Sequence, residues 1–222
     1  MFDAVQALSL AINLQHGIIV IVQSNGMGMS VLFAAQAASN VSLSYSAERC
    51  CLLEALLIDV RQAFRTIEYV LVPNSRTVNA QALAIGRSRH VRLYGGFVFH
   101  PLIGVDSLIF ALLHETGHHL APGPRFASDP MLACDCAADC WAITNGVRTL
   151  RHCSGRAFDL QKALNEITII AGSSEVREPP RKARKRPSRA HQCWAANWRD
   201  RRMRLSGARK LEVAERCYIW SS

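Results

Sequence analysis

HETGHHLAPGPRFASDPMLACDCAADCWA, residues 114–142, is the stretch on which the fold and the chemistry turn. His114 and His118 are four positions apart, so on a helix both imidazoles leave one face and can chelate a single metal ion. Glu115 follows about 100° further round that helix, near enough to touch a water on the metal without being a ligand. The residues just upstream, SLIFALL at 107–113, are apolar on every face. That predicts a buried helix, where an unpartnered His or Glu is costly. Asp106 is placed to cap it, and Pro122-Gly123-Pro124 to stop it.

A catalytic zinc site takes three protein ligands and keeps one position for water. A continuation of the motif with Gly and His at 121 and 124, the metzincin pattern, is excluded by Ala121 and Pro124. The next predicted helix, with Asp129 as cap, Pro130 at its first position and Asn145-Gly146 as stop, offers Asp135 and Asp139 four apart on one face. One carboxylate can bind the metal while the other orients a ligand His. A competing arrangement joins Cys134, Cys136 and Cys140 to the two histidines as a closed structural zinc knot, in which sulfur ligands leave no place for catalysis. Their C-x-C-x3-C spacing is not a common zinc-finger spacing. His119 reads as a packing residue or one that supports a ligand from behind, and Trp141 as core rather than substrate-binding.

These motifs resemble the gluzincin metallopeptidases of the CAAX prenyl protease and HtpX-type heat-shock protease group. There HExxH is followed by a helix carrying Glu-x-x-Ala-Asp. The resemblance implies that Asp135, in DCAADCWA, holds the third zinc-ligand position and Asp139 the supporting one. It also matches VNAQA, residues 78–82, to the family's Asn-Ala-x-Ala strand, which makes Asn79 and Ala80 candidates for holding a substrate strand. The similarity spans roughly residues 46–171, with three separated motifs in the expected order. Two departures stand out: Asp135 is one methylene shorter than the family's Glu, and the family's C-terminal His-Pro element is matched only loosely by Arg186-Pro187-Ser188. No oxyanion-stabilising residue is named for that reason. The flanking transmembrane helices of the family are missing, as in its soluble members.

Outward from this centre, Cys50, Leu53, Ala55, Leu56, Leu57, Val60 and Phe64 recur at helical spacing between Ser46 and Thr66. IEYVLV (67–72), TVNAQALAI (77–85) and RHVRLYG (89–95) are β-branched and aromatic runs separated by turn residues at hairpin spacing. They predict a small, mostly antiparallel sheet, whose edge, beside residues 89–95, is a place for an extended substrate to add as a strand. A further helix is expected over Arg156 to Ala171, with Phe158, Leu160, Leu164, Ile167 and Ile170 inward.

The chain has 222 residues, 50% hydrophobic and 19% charged, enough to bury a real core and too apolar for a wholly disordered chain. Its net charge of +9 is local. Residues 177–210 hold 13 Lys and Arg against Glu178 and Asp200, so the body is nearly neutral. Residues 173–190, with Pro179, Pro180 and Pro187 among them, read as a solvated linker, followed by a basic helix presenting Trp194 and Trp198. The apolar region 4–22 is interrupted by Gln6, Asn13, Gln15 and His16, so no transmembrane anchor is expected. SVLFAAQAAS, 30–39, has the small-residue ending of a cleavable leader without a basic start, and Met27 or Met29 is an alternative first residue. The compartment stays open between cytoplasmic and periplasmic or secreted. The eight cysteines do not settle it, and each is expected to be a small buried hydrophobe.

The sequence therefore predicts an α+β protein: an N-terminal apolar segment or leader (1–45), a helical zincin-type metallopeptidase domain with a small sheet (46–172), and a basic tail (173–222). The expected activity is that of a zinc metalloendopeptidase on peptide or unfolded protein, with one Zn2+ per chain on His114, His118 and Asp135 and with Glu115 as general base. The alternative is a catalytically inactive peptidase-like binding module whose basic tail, residues 177–210, contacts nucleic acid. Salt dependence separates the two, since phosphate binding weakens steeply with salt.

Overall fold

The computed structural model describes residues 27–32, 42–125 and 130–174. Asp129 and the basic tail beyond residue 174 lie outside the described residues. In chain order the elements are β1 (Met27–Val31), α1 (Ala47–Ala63), β2 (Glu68–Val72), β3 (Ala80–Ile85), β4 (Ser88–Tyr94), α2 (Gly95–Val98), α3 (Val105–Leu120), α4 (Asp135–Trp141), α5 (Val147–Ser154) and α6 (Leu160–Ser174). This is an α+β fold in which helices pack on a four-stranded sheet of order β1-β3-β4-β2.

Two of the three strand pairings are antiparallel, as the runs of residues predict, but β2 lies parallel to β4. Only the Gly86 turn, with φ at +59°, closes a hairpin. The segment after Val72 instead crosses to the head of β3 and is pinned by Gly95 and Gly96. A Cβ on either would stand within about 2 Å of the backbone oxygens of Pro73 or Arg76. One consequence corrects the sequence reading: β4 lies between β3 and β2, so residues 89–95 are not an edge to which a substrate can add. β1, which the periodicity did not reveal, supplies one edge, and Leu32 just after it is buried in the main core.

α1 begins at Ser46, whose hydroxyl accepts the N–H of Arg49, and buries Leu53, Leu56, Leu57 and Val60, with Phe64 at its end. Cys50, expected inward, is exposed, as are Cys51 and Cys153, while Cys134 is buried.

α3 starts two residues earlier than Asp106 would set it, with Gly104 as the capping residue. Its start is held from α6: the Glu166 carboxylate accepts the Gly104 N–H at 2.7 Å and the Ser107 hydroxyl at 2.6 Å, a favourable charge for a helix N-terminus. Asp106 reaches across instead, accepting the Asp159 N–H at 2.9 Å and pairing with Lys162 at 3.0 Å. The last helix begins at Leu160 rather than Arg156 and buries Leu164, Ile167 and Ile170 as expected.

The second motif helix is rebuilt most. It begins at Asp135, capped by Cys134, with Pro130 in a preceding turn. Asn145-Gly146 does not stop it. The chain passes through a wide π turn, Ala142–Gly146, and continues as α5 to Gly155, whose φ of +69° ends it. Gly146 serves packing: a Cβ there would meet the Trp141 ring at 2.8 Å, and Trp141 itself packs on Phe64.

Candidate metal centre

α3 is buried from Asp106 to His119, so the predicted burial of the motif holds for every residue of HETGHH. Polar groups at such depth are costly unless they are hydrogen-bonded. Thr116 donates to the Leu112 carbonyl at 2.7 Å and accepts the Tyr69 hydroxyl of β2 at 2.7 Å, which ties the helix to the sheet. Burial holds the Tyr69 hydroxyl well above its usual pKa, so it remains a donor. His119 donates Nε2–H to the His90 carbonyl at 3.0 Å. Burial lowers its pKa to about 4, so it is neutral near pH 7 and acts as a strut between helix and sheet.

α4 is brought against α3 by small residues. A Cβ on Gly117 would stand 2.7 Å from the Ala138 oxygen and 2.9 Å from its Cα, so the two backbones touch at a point where only glycine fits. That approach carries Asp139 and Asp135 to the histidine pair. Asp139 is buried and accepts Nδ1–H of His114 at 2.9 Å. His118 Nδ1 lies 2.6 Å from the Ala133 carbonyl, and Ala133 in turn donates its N–H to the His118 carbonyl at 2.7 Å.

These two contacts settle the tautomers. A carbonyl oxygen only accepts, so Nδ1 of His118 carries its proton, and the Asp139 carboxylate likewise takes the Nδ1 proton of His114. Both Nε2 atoms are then lone-pair donors, and they face each other at 3.0 Å. A cation between them would be met by both lone pairs at once. Asp135 Oδ1 lies 3.8 Å from Nε2 of His114 and 3.7 Å from Nε2 of His118. Ligands bound at about 2.1 Å around a tetrahedral ion are separated by about 3.4 Å, and the three observed separations bracket that value. Glu115, wholly buried, places Oε2 3.9 Å from His118 Nε2.

His114, Glu115 and His118 thus form a buried cluster able to hold a metal ion, the one such grouping found among the described residues. It contains no cysteine, and Cys140 is in a disulfide, which removes one sulfur of the knot arrangement. The structure brings His114, Glu115, His118, Asp135 and Asp139 together. Ala80 opens β3 and Asn79 directly precedes it. Asn79 is wholly buried with its Oδ1 turned to the Ala80 N–H at 2.9 Å, and the Ala80 carbonyl accepts the Leu32 N–H at 2.9 Å.

Sequence reasoning missed the Ala133 carbonyl, because a backbone acceptor has no residue signature. It also missed Gly117, though a glycine inside an otherwise strong helix costs about 1 kcal/mol against Ala and so signals close packing. No protein-family model, curated protein or solved structure matches this chain. Among the described residues no helix is long and apolar enough to cross a membrane.

Proposed function

We propose that this protein is a zinc-dependent metallopeptidase of gluzincin type, acting on peptide or unfolded polypeptide. The observation that carries the reading is the pair of buried Nε2 lone pairs 3.0 Å apart, each imidazole having its other nitrogen engaged, with a carboxylate oxygen within 3.8 Å of both. Two imidazoles and one carboxylate suit zinc, and the set leaves a coordination position open. His114, His118 and Asp135 would hold the ion. The shorter side chain of Asp135 is accommodated because glycine at 117 lets α4 lie directly on α3.

Zinc bound there supplies a Lewis acid for the scissile carbonyl and lowers the pKa of water toward about 7. The chain's own residues then have separate tasks. Asp139 fixes the ring of His114 and raises its basicity, and the Ala133 carbonyl does the same for His118. Glu115 takes the proton of the attacking water on its carboxylate and returns it to the leaving amine. Its complete burial excludes competing solvent from that transfer.

The test is Glu115→Gln, which keeps size and shape. Zinc content measured by atomic absorption should remain about one per chain, while cleavage of unfolded casein should fall by about 10²- to 10⁴-fold. Equal cleavage by a fully zinc-loaded variant would falsify the role of Glu115. Zinc bound with no cleavage by the unsubstituted chain would reduce the reading to a metal-binding protein.

A further inference from the structure

α4 and α5 are one run of helix from Asp135 to Ser154, interrupted only at Ala142–Gly146. There the Val147 N–H reaches the Ala142 carbonyl, five residues back instead of the four of an α turn. The wide turn holds one extra residue, and each residue of an α-helix is worth about 100° of rotation. α5 is therefore turned by about 100° against α4 relative to an unbroken helix. The two halves are fastened to different partners. α4 lies on α3, where Gly117 meets Ala138 and Asp139 accepts the His114 Nδ1–H at 2.9 Å. α5 lies on α1 and buries Leu150. The turn itself is fitted. Thr144 donates its hydroxyl to the Cys140 carbonyl at 2.7 Å, a bond of the kind that bends a helix ladder. Gly146 is buried against Trp141, whose ring lies 5.5 Å, centroid to centroid, from that of Phe64 at the end of α1.

We propose that this π turn sets the rotational phase of α4, bringing Asp135 and Asp139 to His114 and His118 while α5 stays seated on α1. Thr144 and Gly146, which supply no ligand atom, are then positioning residues for the metal centre, a role that rests on the metal reading of the cluster and not on peptidase activity. Closing the ladder at four residues, with α5 in place, would swing the carboxylates about 100° around the helix axis. At the Cα radius of about 2.3 Å the backbone alone moves by about 3.5 Å, and the carboxylate oxygens move further. Metal–ligand distances tolerate about 0.2 Å, so the ion would lose Asp135, and His114 would lose its bond to Asp139.

Metal-free full-length protein is titrated with Co2+, whose visible absorption reports ligand geometry, and zinc affinity is read by chelator competition. Deleting Asn145, which is exposed, removes the extra residue. Zinc affinity should then fall at least about 100-fold, and the Co2+ spectrum of the unsubstituted chain should be lost, with helical circular dichroism kept. An alanine inserted after the exposed Arg148 of the same deletion chain restores the residue count between Asp139 and Leu150. Zinc affinity should return to within about tenfold of the original. Unchanged affinity and spectrum on deletion, or no recovery on insertion, overturns the proposal. If the deletion chain does not fold, Thr144→Val decides, since it keeps the shape and removes only the bond to Cys140. Zinc affinity should fall by about tenfold and the Co2+ band should move. A lower melting temperature with affinity and band unchanged marks a merely structural turn and overturns the proposal. An unsubstituted chain that binds neither ion removes the metal reading and the phase-setting role with it. One that binds zinc without cleaving casein removes only the peptidase reading.

Discussion

α3 is buried from Asp106 to His119, whereas in the seven residues of α4 only Ala138, Asp139 and Trp141 are buried. The two histidines sit on the first helix and the two carboxylates on the second. The imidazoles are therefore positioned by the core itself, through Leu108 to Leu113, and move only if the core moves. The carboxylates are positioned by contacts between segments: Gly117 against Ala138, the hydrogen bond from His114 to Asp139, and the paired bonds between Ala133 and His118. A rigid half and an adjustable half meet at the candidate metal centre. Under the proposed ligand set, the close approach of α4 at Gly117 would let the short side chain of Asp135 reach the ion.

The comparison is broken most severely at His118. Replacing it by Ala removes one of two facing Nε2 donors from a site with no spare imidazole, and stoichiometric zinc should be lost in equilibrium dialysis. Zinc retained at one per chain would mean the ion sits elsewhere.

The adjustable half should respond in graded fashion. Asp139→Asn keeps the shape but weakens the bond that orients His114, and zinc affinity should drop by about 10- to 100-fold. Asp135→Ala should cost more, because a ligand is removed rather than its support. Competition titrations with a chromophoric chelator give the order, and a larger loss at Asp139 would exchange the two roles.

Gly117→Ala probes the contact between the halves. Helix propensity favours Ala by about 1 kcal/mol, but a Cβ 2.7 Å from the Ala138 oxygen forces α4 away. Overpacking of this kind costs about 1–3 kcal/mol, so net destabilisation and weaker zinc binding are expected together in thermal melts with and without zinc. A more stable variant with unchanged zinc affinity would show that α4 is not held at this point.

The smallest effect belongs to the rigid half. Tyr69→Phe removes one hydrogen bond to Thr116, whose hydroxyl keeps its bond to Leu112. About 1 kcal/mol of stability should go in chemical denaturation, with zinc affinity unchanged. A fall in zinc affinity would mean that α3 is positioned from the sheet rather than by its own burial.

What the sequence by itself determined is local. The four-residue spacing of His114 and His118, the all-round apolar run before them and the alternation in three strands follow from helix and strand geometry, which is set within a few residues. For the same reason Asp135 and Asp139 could be placed on one helix face before any distance was known. Tertiary structure alone decided what those residues meet. It chose Glu166 over Asp106 to hold the start of α3, carried the chain past Asn145-Gly146 because Gly146 fits the Trp141 ring, and laid β2 parallel to β4. It also set the Ala133 carbonyl on His118 and β1 on the edge of β3. These are contacts between segments distant in sequence or made by backbone atoms. Their free energy comes from packing and hydrogen bonding of the whole chain, so no local pattern of residue types encodes them.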